Sequence, residues 1–197
     1  MSRLEPLDLS EIPGLEEIDA FYNRIFGFVP NGLRIMGRRP AFVEGFLHLR
    51  RVVVDPATSE VSPEFKDLIG HISSKAGGCR YCQAHTIFSA GRSDTARERL
   101  DAIWDHQSSD MFSAAEKAAL DFALAASGVP NTVTDELFAE LQTFWDDGQI
   151  VEILAVIALY GFLNRWNDTL GTPLEDASRQ VAEEIVGPQG WDVGKHV

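Results

Sequence analysis

The chain carries two cysteines, Cys79 and Cys82, separated by Arg80 and Tyr81. A C-x-x-C pair holds two sulfurs close enough to pass between dithiol and disulfide. A bridge across so short a loop adds little stability. It also cannot tie distant parts of a fold together, so the interest of the pair is chemical. His85 follows Cys82 at i+3, which on a helix sets Cys79, Cys82 and His85 in one slowly drifting row. A sulfur at a helix start meets unpaired backbone N–H groups that favour the thiolate. A nearby imidazole is suited to take or return the proton.

A helical hairpin must position these groups. Ser62-Pro63-Glu64 combines a cap, a proline for the first helical position and an acid for the first turn. Phe65, Leu68, Ile69, Ile72 and Ala76 then fall on one stripe, and Gly77-Gly78 ends the helix. A second helix runs from near Cys79 to about Ala90, so the hairpin covers residues 62–90. With a rise of about 1.5 Å per residue, His71 lies roughly 10 Å below the turn and Cys82 roughly 7 Å. Asp67 lies roughly 16 Å below it and His85 roughly 11 Å. The spacing therefore predicts His71 facing Cys82, and Asp67 reaching His85 directly or through a water. Cys79, Cys82, His85, Asp67 and His71 are the candidate site. Each has a plainer reading: His71 as a satisfied core histidine, Asp67 as a solvated helix acid, Tyr81 as packing. Zinc is the rival for the cysteines and histidines together. However, C-x-x-H on one short helix is a poor tetrahedral chelate, and no second C-x-x-C or H-x-x-x-H is present. No metal or cofactor is expected, because the sulfurs carry the electrons.

Helical spacing continues along the rest of the chain. Apolar residues recur helically between 14 and 54, punctuated by Pro30 and Pro40, with Pro40 opening a helix over about 40–53. Ser93 caps a helix through about Trp104, and Ser113 with Glu116 forms a capping box before a helix that stops at Gly128-Val129-Pro130. Further helices follow at 134–145 and 149–168, and a last, exposed one from Asp176 to Val186. Strand alternation is nearly absent. The fold class is an all-α, single-domain helical bundle over residues 1–197, without a repeat or interdomain linker.

With 197 residues and 45% hydrophobic content the chain supports one real core. A net charge of −13 repels phosphate backbones and anionic lipid surfaces, so neither nucleic acid nor a membrane is an expected partner. The apolar run from Ile150 to Leu163 is short for a span and contains Glu152. It reads as a buried helix that partly meets another subunit. The start, MSRLEPLDLSEIPGL, has acids among its leucines and does not resemble a secretory signal. A cytoplasmic location is expected.

The run Lys66-Asp67-Leu68-Ile69, then Gly78-Cys79-Arg80-Tyr81-Cys82 and Ala84-His85-Thr86, resembles the alkylhydroperoxidase D / carboxymuconolactone decarboxylase superfamily. Phe26-Gly27-Phe28-Val29-Pro30-Asn31 and Pro40 look like its N-terminal helices. The stretch from Asn164 to Pro173 looks like the C-terminal signature of its peroxidase-related branch, so the resemblance covers about residues 19–175. It implies an all-α fold, a trimer, hexamer or dimer, and reduction of alkyl hydroperoxides. Cys82 then corresponds to the attacking cysteine. Cys79 corresponds to the resolving one, which the resemblance makes the more exposed of the two, re-reduced by a dithiol partner such as a lipoylated or thioredoxin-like protein. Two positions depart from the pattern. The family glutamate is Asp67 here, and the family histidine position is occupied by Thr86, with His85 one residue earlier. One residue is about 100° of helix rotation. His71 is then a substitute base, or the relay is degraded. The decarboxylase branch, a lyase independent of a C-x-x-C pair, is one alternative. A non-catalytic thiol sensor or oligomerisation module is the other.

Overall fold

The computed structural model describes residues 2–12, 18–20, 22–23, 26–92 and 95–197. Among them every regular element is helical and no strand occurs. After helical residues at 18–20 and 22–23 come α1 (Asn31–Met36), α2 (Pro40–Val54), α3 (Pro63–Ala76), α4 (Arg80–Arg92) and α5 (Arg97–Asp101). They are followed by α6 (Ala114–Ala126), α7 (Asp135–Phe144), α8 (Asp147–Leu170) and α9 (Asp176–Ile185).

The hairpin signals act locally as their chemistry requires. The Ser62 hydroxyl accepts the Phe65 N–H at 3.3 Å, satisfying one orphan donor of the first turn of α3. Pro63 opens that helix where no N–H is needed. Gly78 turns the chain at φ +71°, a conformation that costs glycine least, and Cys79 N–H returns to the Ser74 carbonyl at 3.1 Å. The Ser113–Glu116 capping box forms at the start of α6. The expected Ser93 cap lies outside the described residues; α4 runs on to Arg92, and the segment read as one helix through Trp104 divides into α5 and a 3₁₀ turn, Ile103–Asp105.

α3 is the central element. Leu68, Ile69 and Ile72 are 0–1% exposed, each such side chain contributing about 1.5–3 kcal/mol. α3 packs on α4, α8 and α6. A Cβ on Gly70 would enter the Tyr160 ring, so glycine there lets α8 approach closely. α8 is longer than the apolar run suggested, because Asp146 and Gln149 form a capping box at its start and Gly171 ends it in the left-handed conformation. By length and composition it is long and apolar enough to cross a membrane. In this fold its inner side, including Ile153, Val156, Ile157 and Leu159, joins the core. Its Glu152 pairs with Lys66 of α3 at 3.0 Å and accepts the Glu60 N–H at 2.9 Å. α9 is not the exposed helix expected: Ser178, Ala182 and Ile185 are buried, and the helix packs against α4.

Candidate active site

Cys79 and Cys82 are free thiols with their sulfurs 3.0 Å apart at the start of α4. The Cys82 backbone N–H donates to the Cys79 sulfur at 3.3 Å, one of the orphan donors of this helix end. The Cys82 sulfur is placed to receive the Cys79 S–H and, at 3.6 Å, the side-chain amide of Asn167 from α8. Burial pushes the Cys82 thiol well above its ordinary range, Cys79 adds to the rise, and the Asn167 amide works against it.

Cys82 lies on the wall of a pocket of ≈ 570 Å³, open mouth included; Cys79, expected to be the more exposed cysteine, is 0% exposed against 3% for Cys82, because it packs into the layer under Leu174. Tyr22, Phe26, Phe46, Tyr81 and Tyr160 give it aromatic walls, and His85 and Arg50 add polar groups. Arg50 lies over the Tyr22 ring, 5.5 Å from its centroid. Gly32 of α1 closes against Asn167, where a Cβ would strike the amide oxygen.

His85 does not meet Asp67. Its Nε2 lies 2.6 Å from Oε2 of Glu175, the residue that caps α9. Glu175 Oε1 accepts the Tyr81 hydroxyl at 3.1 Å and the Asn31 N–H at 2.5 Å, and the Tyr81 oxygen itself accepts the Gly32 N–H at 3.2 Å. The Tyr81 ring stacks on His85 with centroids 4.4 Å apart. Burial opposes ionisation of Glu175, but the His85 charge and the hydrogen bonds from His85 and Asn31 outweigh it, holding the carboxyl below its usual range. With Glu175 ionised, the hydrogen of this contact sits on His85 Nε2 and is accepted by Glu175 Oε2. Burial, then the Glu175 charge, pushes Tyr81 far up, so its phenol stays a neutral donor.

Asp67 and His71 sit elsewhere. The Asp67 carboxylate accepts the Ser89 hydroxyl at 2.9 Å, toward the far end of α4. His71 Nε2 accepts the Trp104 indole N–H at 2.8 Å. An indole only donates, so the ring hydrogen is on Nδ1, which faces Thr86 Oγ1 at 2.9 Å and the Gln83 carbonyl at 3.2 Å. Burial lowers the His71 pKa to about 3. Both ring nitrogens are engaged away from the sulfurs, so the expected His71–Cys82 contact is not made. Neither is the Asp67–His85 contact. The physical reason is the rotation between adjacent helix positions: Thr86 faces α3 and His71, while His85 faces the pocket, α1 and Glu175. The four possible zinc ligands are likewise not brought together. Among the described residues no group of three or more His, Cys, Asp or Glu side chains converges as a metal site. Sequence reasoning missed Glu175, 90 residues beyond His85, and Asn167; no short-range spacing links either to the cysteines.

The debrominase Bmp8, solved without ligand, is 37% identical to this chain with a TM-score of 0.86, covering 92% of this chain and 96% of Bmp8. Its C82A variant in complex with 2,3,4-tribromopyrrole is 36% identical with a TM-score of 0.87, covering 94% and 98%. An alkylhydroperoxidase D core, a peroxidase-related protein from Ralstonia eutropha JMP134, has a TM-score of 0.78 at 21% identity, covering 90% and 94%. The chain has the alkylhydroperoxidase D-like fold of this neighbour, and at 36–37% identity over nearly its whole length it belongs to the same family as Bmp8. Among curated relatives, the uncharacterised Escherichia coli (strain K12) protein YnjA is 28% identical over 178 residues, 87% of this chain and 94% of YnjA. No family model matches the chain. It shares the all-helical frame of these neighbours. This fold includes Bmp8, a debrominase, so the fold alone does not define the reaction.

Proposed function

We propose that the protein is a dithiol-dependent reductase in which Cys82 attacks a small electrophile in the aromatic pocket and Cys79 then closes a disulfide onto it. The observation that carries this reading is the pair of free sulfurs 3.0 Å apart, with Cys82 on the pocket wall beside His85. The substrate class best supported is a planar halogenated aromatic ring. Five aromatic side chains line the pocket, and Bmp8, at 36–37% identity, is a debrominase whose C82A variant is seen with a bromopyrrole. In this reaction the Cys82 thiolate takes the halogen from the ring. The carbon–halogen electron pair stays on carbon, which gains a proton from the His85 side of the pocket. Cys79 then attacks the Cys82 sulfur, and halide leaves. The ring is reduced by two electrons and the dithiol is oxidised.

An alkyl hydroperoxide is the second reading, favoured by the apolar pocket above a reduced dithiol and by the motif resemblance. There the Cys82 thiolate attacks the outer peroxide oxygen, the O–O bond breaks, and the alkoxide leaves as alcohol after taking a proton. The Cys82 sulfenic acid is resolved by Cys79 with loss of water. Both reactions use the Asn167 amide at the Cys82 sulfur and the Glu175–His85 pair for proton handling. The partner that restores the thiols is a dithiol reductant.

Single-turnover chemistry tests the proposal. Reduced protein is mixed with one equivalent of 2,3,4-tribromopyrrole or of cumene hydroperoxide, without external thiol. The expected result is a loss of two hydrogens mapped to a Cys79–Cys82 bridge, with one equivalent of bromide or of alcohol. A substrate that leaves both thiols intact is excluded, and intact thiols with both overturn the reductase reading. A bridge without sustained turnover under excess dithiol supports the sensor instead.

A further inference from the structure

The pocket has two unlike ends. At one, Cys82 and His85 project from α4, with the Asn167 amide of α8 at the sulfur. From there the wall continues as a run of rings. Tyr81 stacks on His85 with centroids 4.4 Å apart, Phe26 lies 5.8 Å from His85, and Tyr22 stacks on Phe26 at 6.0 Å. Arg50, in the last turn of α2, ends the run, its guanidinium carbon 5.5 Å from the Tyr22 centroid. All five of these side chains line the pocket. One flat wall therefore leads from the reactive sulfur and its histidine to a guanidinium.

The charge at the far end is set against the rest of the molecule. The chain carries a net charge of −13, which repels anions in general. Among the described residues, however, no aspartate or glutamate lines the pocket, while Arg50 does. Arg50 is half-buried, so water and salt screen its charge less than at an open surface. Its field reaches both phenols of that end, working against the rise that burial gives Tyr22 and Tyr160. A charge that favours a phenolate on the wall favours an anion lying beside it for the same reason. Burial keeps the two phenols protonated, so they are donors and not competing anions. Asp67 acts on Tyr160 in the opposite sense, but its carboxylate accepts the Ser89 hydroxyl and is not on the pocket wall. The guanidinium is a planar fork of donors that matches an oxyanion or carboxylate, and its place over Tyr22 holds it at the wall.

We propose, on the halogenated-ring reading above, that Arg50 is the specificity-determining residue of the pocket and that the substrate is an aromatic anion, its negative group held at the Arg50–Tyr22 end while the atom to be reduced lies at Cys82. The substrate class narrows from halogenated rings in general to those carrying an acidic group that is ionised at the working pH: a phenol, an acidified ring N–H or a carboxylate. Uncharged halogenated hydrocarbons of the same size fill the aromatic wall but forgo the charge contact. Arg50 acts in recognition and orientation, and the bond-breaking step stays with Cys82.

The test is equilibrium dialysis of the full-length Cys82→Ser protein, in which binding is read without turnover. Two probes of one shape are compared at mildly alkaline pH: tribromophenol, brominated at both ortho positions and the para position and ionised under these conditions, and the tribromoaniline of the same pattern, which is uncharged. The phenolate is expected to bind more tightly by roughly tenfold or more, as a charge-assisted contact at a half-buried site allows. Adding Arg50→Gln is expected to bring the two affinities together. Arg50→Lys is expected to keep part of the preference, because the charge stays while the planar fork is lost. The preference is a ratio within each protein, so a loosened pocket that weakens both rings alike does not mimic the result. The first comparison leaves Arg50 untouched and decides the matter even where its replacement fails to fold. Equal affinities for the two rings in Cys82→Ser, or a preference undiminished by Arg50→Gln, overturn the proposal and leave the halogenated-ring reading standing. Binding of neither ring overturns that reading and the proposal with it.

Discussion

Replacing His71 by glutamine separates two roles for this histidine. In the structure it is a buried neutral ring, held on one side by the Trp104 indole and on the other by Thr86 and the Gln83 carbonyl. Burial brings its pKa from 6.5 to about 3. A histidine whose folded value is depressed resists protonation in the folded state while the unfolded chain protonates freely. Its effect is therefore a loss of stability as pH falls from about 6.5 toward 3. Between pH 7 and pH 5 the unfolded ring takes up about 0.7 of a proton and the folded ring almost none, which integrates to about 2 kcal/mol. For a chain of this size that is a Tm drop of roughly 4–8 °C. Carboxylate titrations contribute equally to wild type and His71→Gln, so the difference between the two isolates His71. The variant is expected to be less stable at pH 7 but to lose about 2 kcal/mol less than wild type on going to pH 5, measured by urea unfolding. Its pH–rate profile should match that of wild type, because neither ring nitrogen faces a sulfur. Parallel stability curves would refute the buried neutral ring, and a displaced rate profile would restore His71 as a base.

Glu175→Gln keeps the side-chain shape but removes the charge facing His85; kcat is expected to fall about 10–100-fold with KM nearly unchanged, and an unchanged kcat in steady-state assays removes this pair from proton handling. Asn167→Ala deletes the amide donor at the Cys82 sulfur, and a slowing of thiolate alkylation by roughly fivefold, corresponding to about 1 kcal/mol, is expected from stopped-flow labelling. Lys66→Met leaves Glu152 without its 3.0 Å partner; because Glu152 keeps its backbone donors at residues 60 and 61, a loss of about 2–3 kcal/mol in urea unfolding is expected, less than for a fully orphaned charge. Phe42, Leu49 and Val52 on α2 and Val151 and Leu154 on α8 are exposed, a broad apolar surface that a second copy of the chain is expected to cover; light scattering should show a homo-oligomer, with Leu154→Glu shifting it toward monomer.

The hairpin was legible because its signals are local. A serine, a proline and an acid within three residues start α3, a glycine pair turns the chain, and apolar side chains recur at helical spacing. The sulfurs were legible for the same reason, since C-x-x-C on a helix needs nothing from the rest of the fold. The histidine partners were not. Heights above the turn fix where along the hairpin a side chain lies, but not toward which neighbour it rotates. His71 and Cys82 are close in height, yet His71 is captured by Trp104, a residue on a separate 3₁₀ turn. Asp67 finds Ser89 in place of His85. Glu175 was hidden because contact between α9 and α4 depends on how the chain returns after α8. The apparent polarity of α9 also made it look solvent-facing, although its small residues Ser178 and Ala182 are buried.

The shift of the histidine from position 86 to position 85 then has a structural counterpart. At position 86 a side chain points into α3. Thr86 uses that place to bond His71 and to return its hydroxyl to the Cys82 carbonyl at 2.9 Å. A histidine at 85 is turned about 100° away, and an acid on α3 no longer serves it. The carboxylate is supplied instead from the N-cap of α9, while the Tyr81 and Asn31 donors fix the second oxygen. The acid and the histidine that look like separate defects in the motif are thus coupled. Moving the imidazole to the pocket side requires a carboxylate from a different element, and Glu175 is that carboxylate. The α3 side becomes a neutral hydrogen-bonded core in which a charged histidine is disfavoured by burial. The Glu175–His85 pair thus lies on the side of α4 where His85 and Cys82 share the pocket.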